Sequence, residues 1–160
     1  MVSMVQCAAN MHKRFQLFLL IIFATLATDQ LTKLWIIEHP NLPIVMIRDI
    51  FQIIFFRNNG IAFSIPLPEL IIAPLVVLII LIGGWYLHRE LDLRRPLAWV
   101  AIALILGGTI GNLLDRFRLG YVVDFIAVWK FPVFNVADIA ITGGMLMLVL
   151  WYGALEKRKG

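Results

Sequence analysis

Long apolar runs separated by short charged clusters leave this chain very few ways to fold. The runs lie at 15–37, 70–87, 97–114 and 135–152, the third continuing in helical pattern to 116. Each is close to the ~20 residues that a helix needs to cross a bilayer. Hydrophobic residues make up 61% of the 160, and the mean hydropathy is +0.90. Soluble domains sit near ~45–50% apolar, so the excess is assigned to lipid-facing surface. Backbone in lipid must satisfy its own hydrogen bonds, which makes helices the spanning elements. The expected fold is all-α and polytopic: one membrane domain over 1–160 with four transmembrane helices.

The segments between the runs differ in character. Residues 1–11 have no clear pattern, and His12-Lys13-Arg14 then introduce the first run. A cleaved signal peptide has a similar basic start, but this run is long for one and no cleavage site precedes Asp29. It is read as a retained span. The segment 38–69 is broken by Pro40, Pro43, Pro66 and Pro68, and Ile50–Phe56 within it is β-branched and aromatic. That composition predicts a strand or small sheet lying on the membrane surface. Arg57-Asn58-Asn59-Gly60 after it is turn chemistry. The charged loop 88–96 joins the second and third spans, and Pro96 opens the third. In the loop 117–134, Val122–Phe125 and Phe131–Phe134 read as extended pieces.

Lysine and arginine set the orientation. Lys13, Arg14, Arg89, Arg94, Arg95, Lys157, Arg158 and Lys159 fall at three dense points on one side of a four-span chain. The positive-inside rule makes that side cytoplasmic, together with both termini. The loops 38–69 and 117–134 then share the outer face. The net charge of +4 reflects this topology rather than a nucleic-acid surface.

The same outer face collects the ionisable residues that lipid normally excludes, at ~2.5–3.5 kcal/mol or more each. Asp29 and Lys33 stand four apart near the end of the first run and share a helix face. A headgroup ion pair and a support for a site both suit that spacing. Gly107 and Gly111 allow close helix approach and lead into Asn112, Asp115 and Arg116. Asp29 and Lys33 are the natural partners for Asp115 and Arg116, which gives Lys33 and Arg116 a structural role. Asp124 follows in the loop, where a solvated aspartate is the plain alternative. Asn135 is a candidate N-cap with Asp138 at N3, where a carboxylate is favoured by the helix dipole alone.

Several chemistries are excluded. Cys7 is the only cysteine, so no intramolecular disulfide or paired-cysteine metal site exists. His12, His39 and His88 sit at run ends, far apart. No HExxH, Ser–His or Cys–His motif is present, and neither metal nor cofactor is implied. Two aspartates that share a space retain one proton between them, and such a pair can hydrolyse a peptide bond. Asp124 and Asp138 are the candidate pair. A proton-coupled transporter would place polar groups at mid-membrane along several spans, and a structural subunit would leave both aspartates dispensable. Prepilin- or presenilin-like proteases would show Gly-x-Gly-Asp, absent at either aspartate.

Five blocks then carry a resemblance over Phe15–Tyr152. They are Asp29-x-x-Thr32-Lys33, Asn58-x-Gly60-x-Ala62-Phe63-Ser64, Gly107-Gly108-x-x-Gly111-Asn112-x-x-Asp115-Arg116, Val122-Val123-Asp124-Phe125, and Phe134-Asn135-x-Ala137-Asp138. In this order they resemble the lipoprotein signal peptidase family, also called signal peptidase II. The resemblance implies a bacterial inner-membrane aspartyl endopeptidase with its site on the outer side. It would cut diacylglyceryl-modified prolipoproteins just before the lipidated cysteine and be inhibited by globomycin. It implies Asp124 and Asp138 as the catalytic dyad. Asp29, Lys33, Asn58, Gly60, Asn112, Asp115, Arg116, Asn135 and Ala137 would be supporting or substrate-contacting positions, with a small β-sheet on the outer surface. The bilayer is the other expected partner, nucleic acid is not one, and a monomer is the expected state.

Overall fold

The computed structural model describes residues 2–39, 43–61, 65–66 and 96–156. The expected second span at 70–87, the charged loop before Pro96, the Ala62-Phe63-Ser64 end of the second block and the basic tail from Lys157 lie outside the described residues.

Three helices and a small sheet make up the described residues. Helix α1 spans Val2–Glu38, so it takes in the leader that looked unpatterned. No proline or glycine occurs before Pro40, so nothing in the sequence stops the helix earlier, and it ends where proline disfavours helical backbone in the residue before it. Helix α2 spans Pro96–Leu119, with proline at its first position, where the missing N–H is not needed. It closes at Gly120, whose φ of 80° lets its N–H reach Arg116 O at 3.0 Å, an αL cap. Helix α3 spans Val136–Glu156. α1 and α2 carry stretches long and apolar enough to cross a membrane, Met11–Glu38 and Pro96–Leu119, with mean hydropathies of 1.6 and 2.0.

Strands β1 (Ile44–Ile47), β2 (Phe51–Asn58) and β5 (Val122–Val128) form an antiparallel sheet in the order β1-β2-β5. The expected small sheet is thus present. A separate short pair joins β3 (Gly60–Ile61) to β4 (Ile65–Pro66). In the main sheet Phe56 stands opposite Asp124 and Asn58 opposite Val122, so the Asn58 turn is brought to the start of β5. Phe134 bridges to Ile126 and delivers the chain to the first turn of α3. Side chains alternate along a strand. Val123 and Phe125 therefore share the face that packs with Ile36 of α1, and Asp124 points the other way.

The distribution of residues is inverted relative to a soluble protein. Phe23 is 69% and Leu150 is 73% exposed, while Asp29 and Asp124 are fully buried. Apolar helix surface turned outward and carboxylates turned inward suit a lipid surround.

α2 packs against both neighbours. A Cβ at Gly108 would collide with Ala137 O of α3, and one at Gly107 would lie 2.9 Å from Thr25 Cβ of α1. Gly143 is the contrast, since a Cβ there would meet nothing within 4 Å among the described residues. Gly143→Ala should therefore leave the fold intact and raise stability by ~0.5–1 kcal/mol from helix propensity. Gly108→Ala should lower the melting temperature by several degrees, equivalent to ~1–3 kcal/mol of overpacking. Thermal unfolding of the two purified variants checks the contrast, and equal melting temperatures would refute it.

Candidate active site

The cluster begins with Lys33, which is 2% exposed and four residues from Asp29 on α1. Its ammonium has three donors, and all three are used. They go to Asp29 Oδ2 and Asp115 Oδ2 at 2.9 Å each and to Asn112 Oδ1 at 2.8 Å. Asp115 is the expected partner. The headgroup reading of the Asp29–Lys33 pair is corrected here, because both side chains are buried against α2 rather than at a helix end in solvent. Gly111 makes the approach possible: a Cβ there would stand 2.5 Å from Asp29 Oδ2. Gly111→Ala should displace the oxygen that Lys33 holds and lower both the melting temperature and turnover. A variant with unchanged melting temperature would show that Asp29 has another place to go.

The two buried support carboxylates reach onward to backbone. Asp115 Oδ2 accepts from Val123 N at 3.2 Å, and Asp29 Oδ1 accepts from Ala137 N at 2.9 Å. Ala137 is fully buried, and Gly108 packs on its carbonyl. A larger residue at 137 would push α3 off α2.

Asp124 and Asp138 follow immediately after those two anchored residues. Asp124 Oδ1 accepts from Asn135 Nδ2 at 2.6 Å, and its Oδ2 accepts from Asn58 Nδ2 at 2.8 Å. Asp124 is thus a buried strand residue and not a solvated loop aspartate. Asp138 Oδ1 accepts from Asn112 Nδ2 at 2.9 Å, and its Oδ2 accepts from Asn135 N at 3.2 Å. Asn135 Oδ1 in turn accepts from Asp138 N at 2.9 Å. That is a reciprocal cap with Asn135 as N-cap and Asp138 at N3. Asn135 therefore grips both aspartates, one with its side chain and one with its backbone. The amide orientations are fixed by their other partners: Asn112 Oδ1 also accepts from Asn135 Nδ2 at 3.1 Å, and Asn58 Oδ1 accepts from Gly60 N at 3.0 Å.

Asp124 responds to this environment. Burial pushes its carboxyl up from 3.8 to about 6, opposed by the Asn58 hydrogen bond and reinforced by the nearby charge of Asp138. A carboxyl raised in this way holds its proton closer to neutral pH than an ordinary aspartate, the range that suits acid–base chemistry.

All eleven expected residues meet in this network. Arg116 is the one whose partner differs from expectation. It donates to Gly60 O at 2.8 Å and Asn112 O at 3.3 Å, so it ties the Asn58–Gly60 turn to α2. Gln30 was not expected. Its Nε2 donates to Asp115 Oδ1 at 3.0 Å and to Gly111 O and Asp29 Oδ2 at 3.2 Å each. Arg118 Nη1 donates to its Oε1 at 3.3 Å. The only trace in the sequence is a second polar residue beside Asp29 in an apolar run. Among the described residues no group of His, Cys, Asp and Glu could hold a metal ion.

The family model described as signal peptidase (SPase) II matches residues 21–153. A lipoprotein signal peptidase of Moorella thermoacetica is 39% identical, over 82% of this chain and 89% of its own length. The one of Syntrophotalea carbinolica is 40% identical, over 86% and 91%. A solved bacterial membrane enzyme superimposes with a TM-score of 0.77 at 30% identity, covering 91% of this chain and 90% of that one. A second gives 0.73, again at 30% identity, over 86% and 92%. Matched along most of its length in sequence and in backbone, the chain belongs to the signal peptidase II family.

Proposed function

We propose that this protein is a lipoprotein signal peptidase of a bacterial inner membrane, a protease in which Asp124 and Asp138 hydrolyse the peptide bond before a diacylglyceryl-modified cysteine. The observation that carries the reading is Asn135: one residue holds both carboxylates, on β5 and on α3, with Asp124 at about 6.

The chemistry needs one proton on the pair. The ionised carboxylate takes a proton from water as the water oxygen bonds to the scissile carbon. The protonated carboxyl gives its hydrogen to the carbonyl oxygen, and a neutral diol results. The proton taken from water then passes to the departing nitrogen, the C–N bond breaks, and the diol proton returns to the second carboxylate. The two aspartates end as they began. Asn58, Asn112 and Asn135 hold the carboxylates and leave a lone pair on each for this traffic. Arg116, through Gly60, fixes the turn that carries Asn58. The topology expected from the sequence supports this reading: four spans with both termini cytoplasmic would put the site at the outer leaflet. A lipidated cysteine can there keep its acyl chains in the bilayer, and globomycin-type inhibitors would compete for the same site.

The test is cleavage by purified protein in detergent of one precursor in two forms, with and without the diacylglyceryl group. A single cut before the cysteine of the lipidated form alone is expected by mass spectrometry. No cleavage, or equal cleavage of both forms, would overturn the assignment. The pH profile of kcat/KM should be a bell whose alkaline limb lies at about pH 6 or above, because activity is lost as the retained proton leaves. Bound substrate desolvates the pair further, so the limb for kcat should lie at higher pH than that for kcat/KM. An alkaline limb near 4 would contradict the buried position of Asp124.

A further inference from the structure

The residues immediately before Asp124 and Asp138 are held in the same way. Val123 N is bound by Asp115 Oδ2 and Ala137 N by Asp29 Oδ1. The two support carboxylates are thus tied through one backbone residue each to Asp124 and Asp138, beside the direct grip of Asn135. Like charges at such range repel, and two groups hold them together. Lys33 bridges them at 2.9 Å on each side. Gln30 bridges them a second time, with its amide at 3.2 Å from Asp29 Oδ2 and 3.0 Å from Asp115 Oδ1. Arg118 on its Oε1 keeps the donor end turned inward.

We propose that Gln30 is a positioning residue which, as the neutral half of a clamp with Lys33, sets the spacing of the Asp124–Asp138 dyad. The inference rests on the aspartyl-peptidase reading and adds a residue and a role to it. Lys33 supplies the positive charge that both support carboxylates share. Gln30 adds no charge but fixes direction: its N–H groups hold Asp115 Oδ1, which leaves Oδ2 turned to Val123 N and Lys33. Its third contact, Gly111 O, anchors the clamp to α2.

The dyad feels the charges of Asp29 and Lys33 from α1, and Asp115 and Arg116 of α2 join the same network. None of these changes charge when Gln30 is replaced. An effect on the dyad's titration must then come from geometry. A wider dyad interacts more weakly, so its two apparent pKa values move together.

The experiment is the pH dependence of kcat and KM for Gln30→Leu on the lipidated precursor, beside wild type and Asp124→Asn. Gln30→Leu should lower kcat about tenfold, as misplacement of reacting groups does, with KM unchanged and the kcat bell narrowed from both sides. Arg118→Ala is exposed and leaves the buried charges alone. It should narrow the bell in the same sense with a smaller loss of kcat, and it decides the matter if Gln30→Leu does not fold. Wild-type kcat and bell width in the folded Gln30→Leu, or in Arg118→Ala where Gln30→Leu does not fold, would overturn the clamp while the peptidase reading stood. A wild type inert on the lipidated precursor, or an active Asp124→Asn, would overturn the peptidase reading and the clamp with it.

Discussion

Asp124→Asn and Asp138→Asn should each lower kcat by at least ~10³-fold, with KM little changed. Each swap keeps size and removes the group that carries a proton. The double variant should be no slower than either single one, because a pair that works as a unit is lost once. Both oxygens of Asp124 accept from amide donors, Asn135 Nδ2 and Asn58 Nδ2. An asparagine there brings one N–H against another donor, so a modest fall in melting temperature accompanies the loss of turnover. Asp138 carries the same conflict between Asn112 Nδ2 and Asn135 N. Single-turnover cleavage of the lipidated precursor by folded variants is the measurement. Residual turnover above about a tenth of wild type in either variant would remove that residue from the chemistry, since a proton carrier contributes far more than this.

Much of this site could be read from the chain because it rests on spacing. Asp29 and Lys33 four apart, Gly107 and Gly111 four apart, and Asn135 three before Asp138 each fix a shared helix face or a cap. The structure uses all of them. The strands were legible from the β-branched run at Ile50–Phe56. Three features were not legible, each for a physical reason. Asp29 and Asp115 bind backbone N–H groups of Ala137 and Val123, and an N–H leaves no mark in a sequence. Arg116 binds a carbonyl, Gly60 O, for the same reason. Gln30 is hidden because one amide in an apolar helix has no spacing partner. Its acceptors lie on α2, some eighty residues away by the hydrogen-bond separations. The leader shows no clear pattern and is nevertheless helical from Val2, because a chain without breakers extends the helix it belongs to.

Lys33→Met should be strongly destabilising. Methionine matches the length of lysine and removes only the charge and the donors. Asp29 and Asp115, at 0% and 3% exposure, would then face each other across the space that the ammonium fills. Removing one partner from a buried ionic group costs ~3–5 kcal/mol, which corresponds to a fall of roughly 10 °C in melting temperature. The loss comes from stranded carboxylates, and it is therefore reversible by removing them too. The triple variant Lys33→Met, Asp29→Asn, Asp115→Asn should regain much of the stability, since its amides can still accept from Ala137 N and Val123 N. It should not regain activity. Asn112 Oδ1 would have lost its Lys33 donor and kept only Asn135 Nδ2, so the Asn112 amide that faces Asp138 would be held less firmly. Thermal unfolding in detergent and single-turnover cleavage separate the two effects. A Lys33→Met protein melting with the wild type would mean that the two carboxylates share a proton of their own and that the cluster needs no cation. A triple variant as unstable as the single one would place the loss in packing around the lysine stem rather than in unpaired charge.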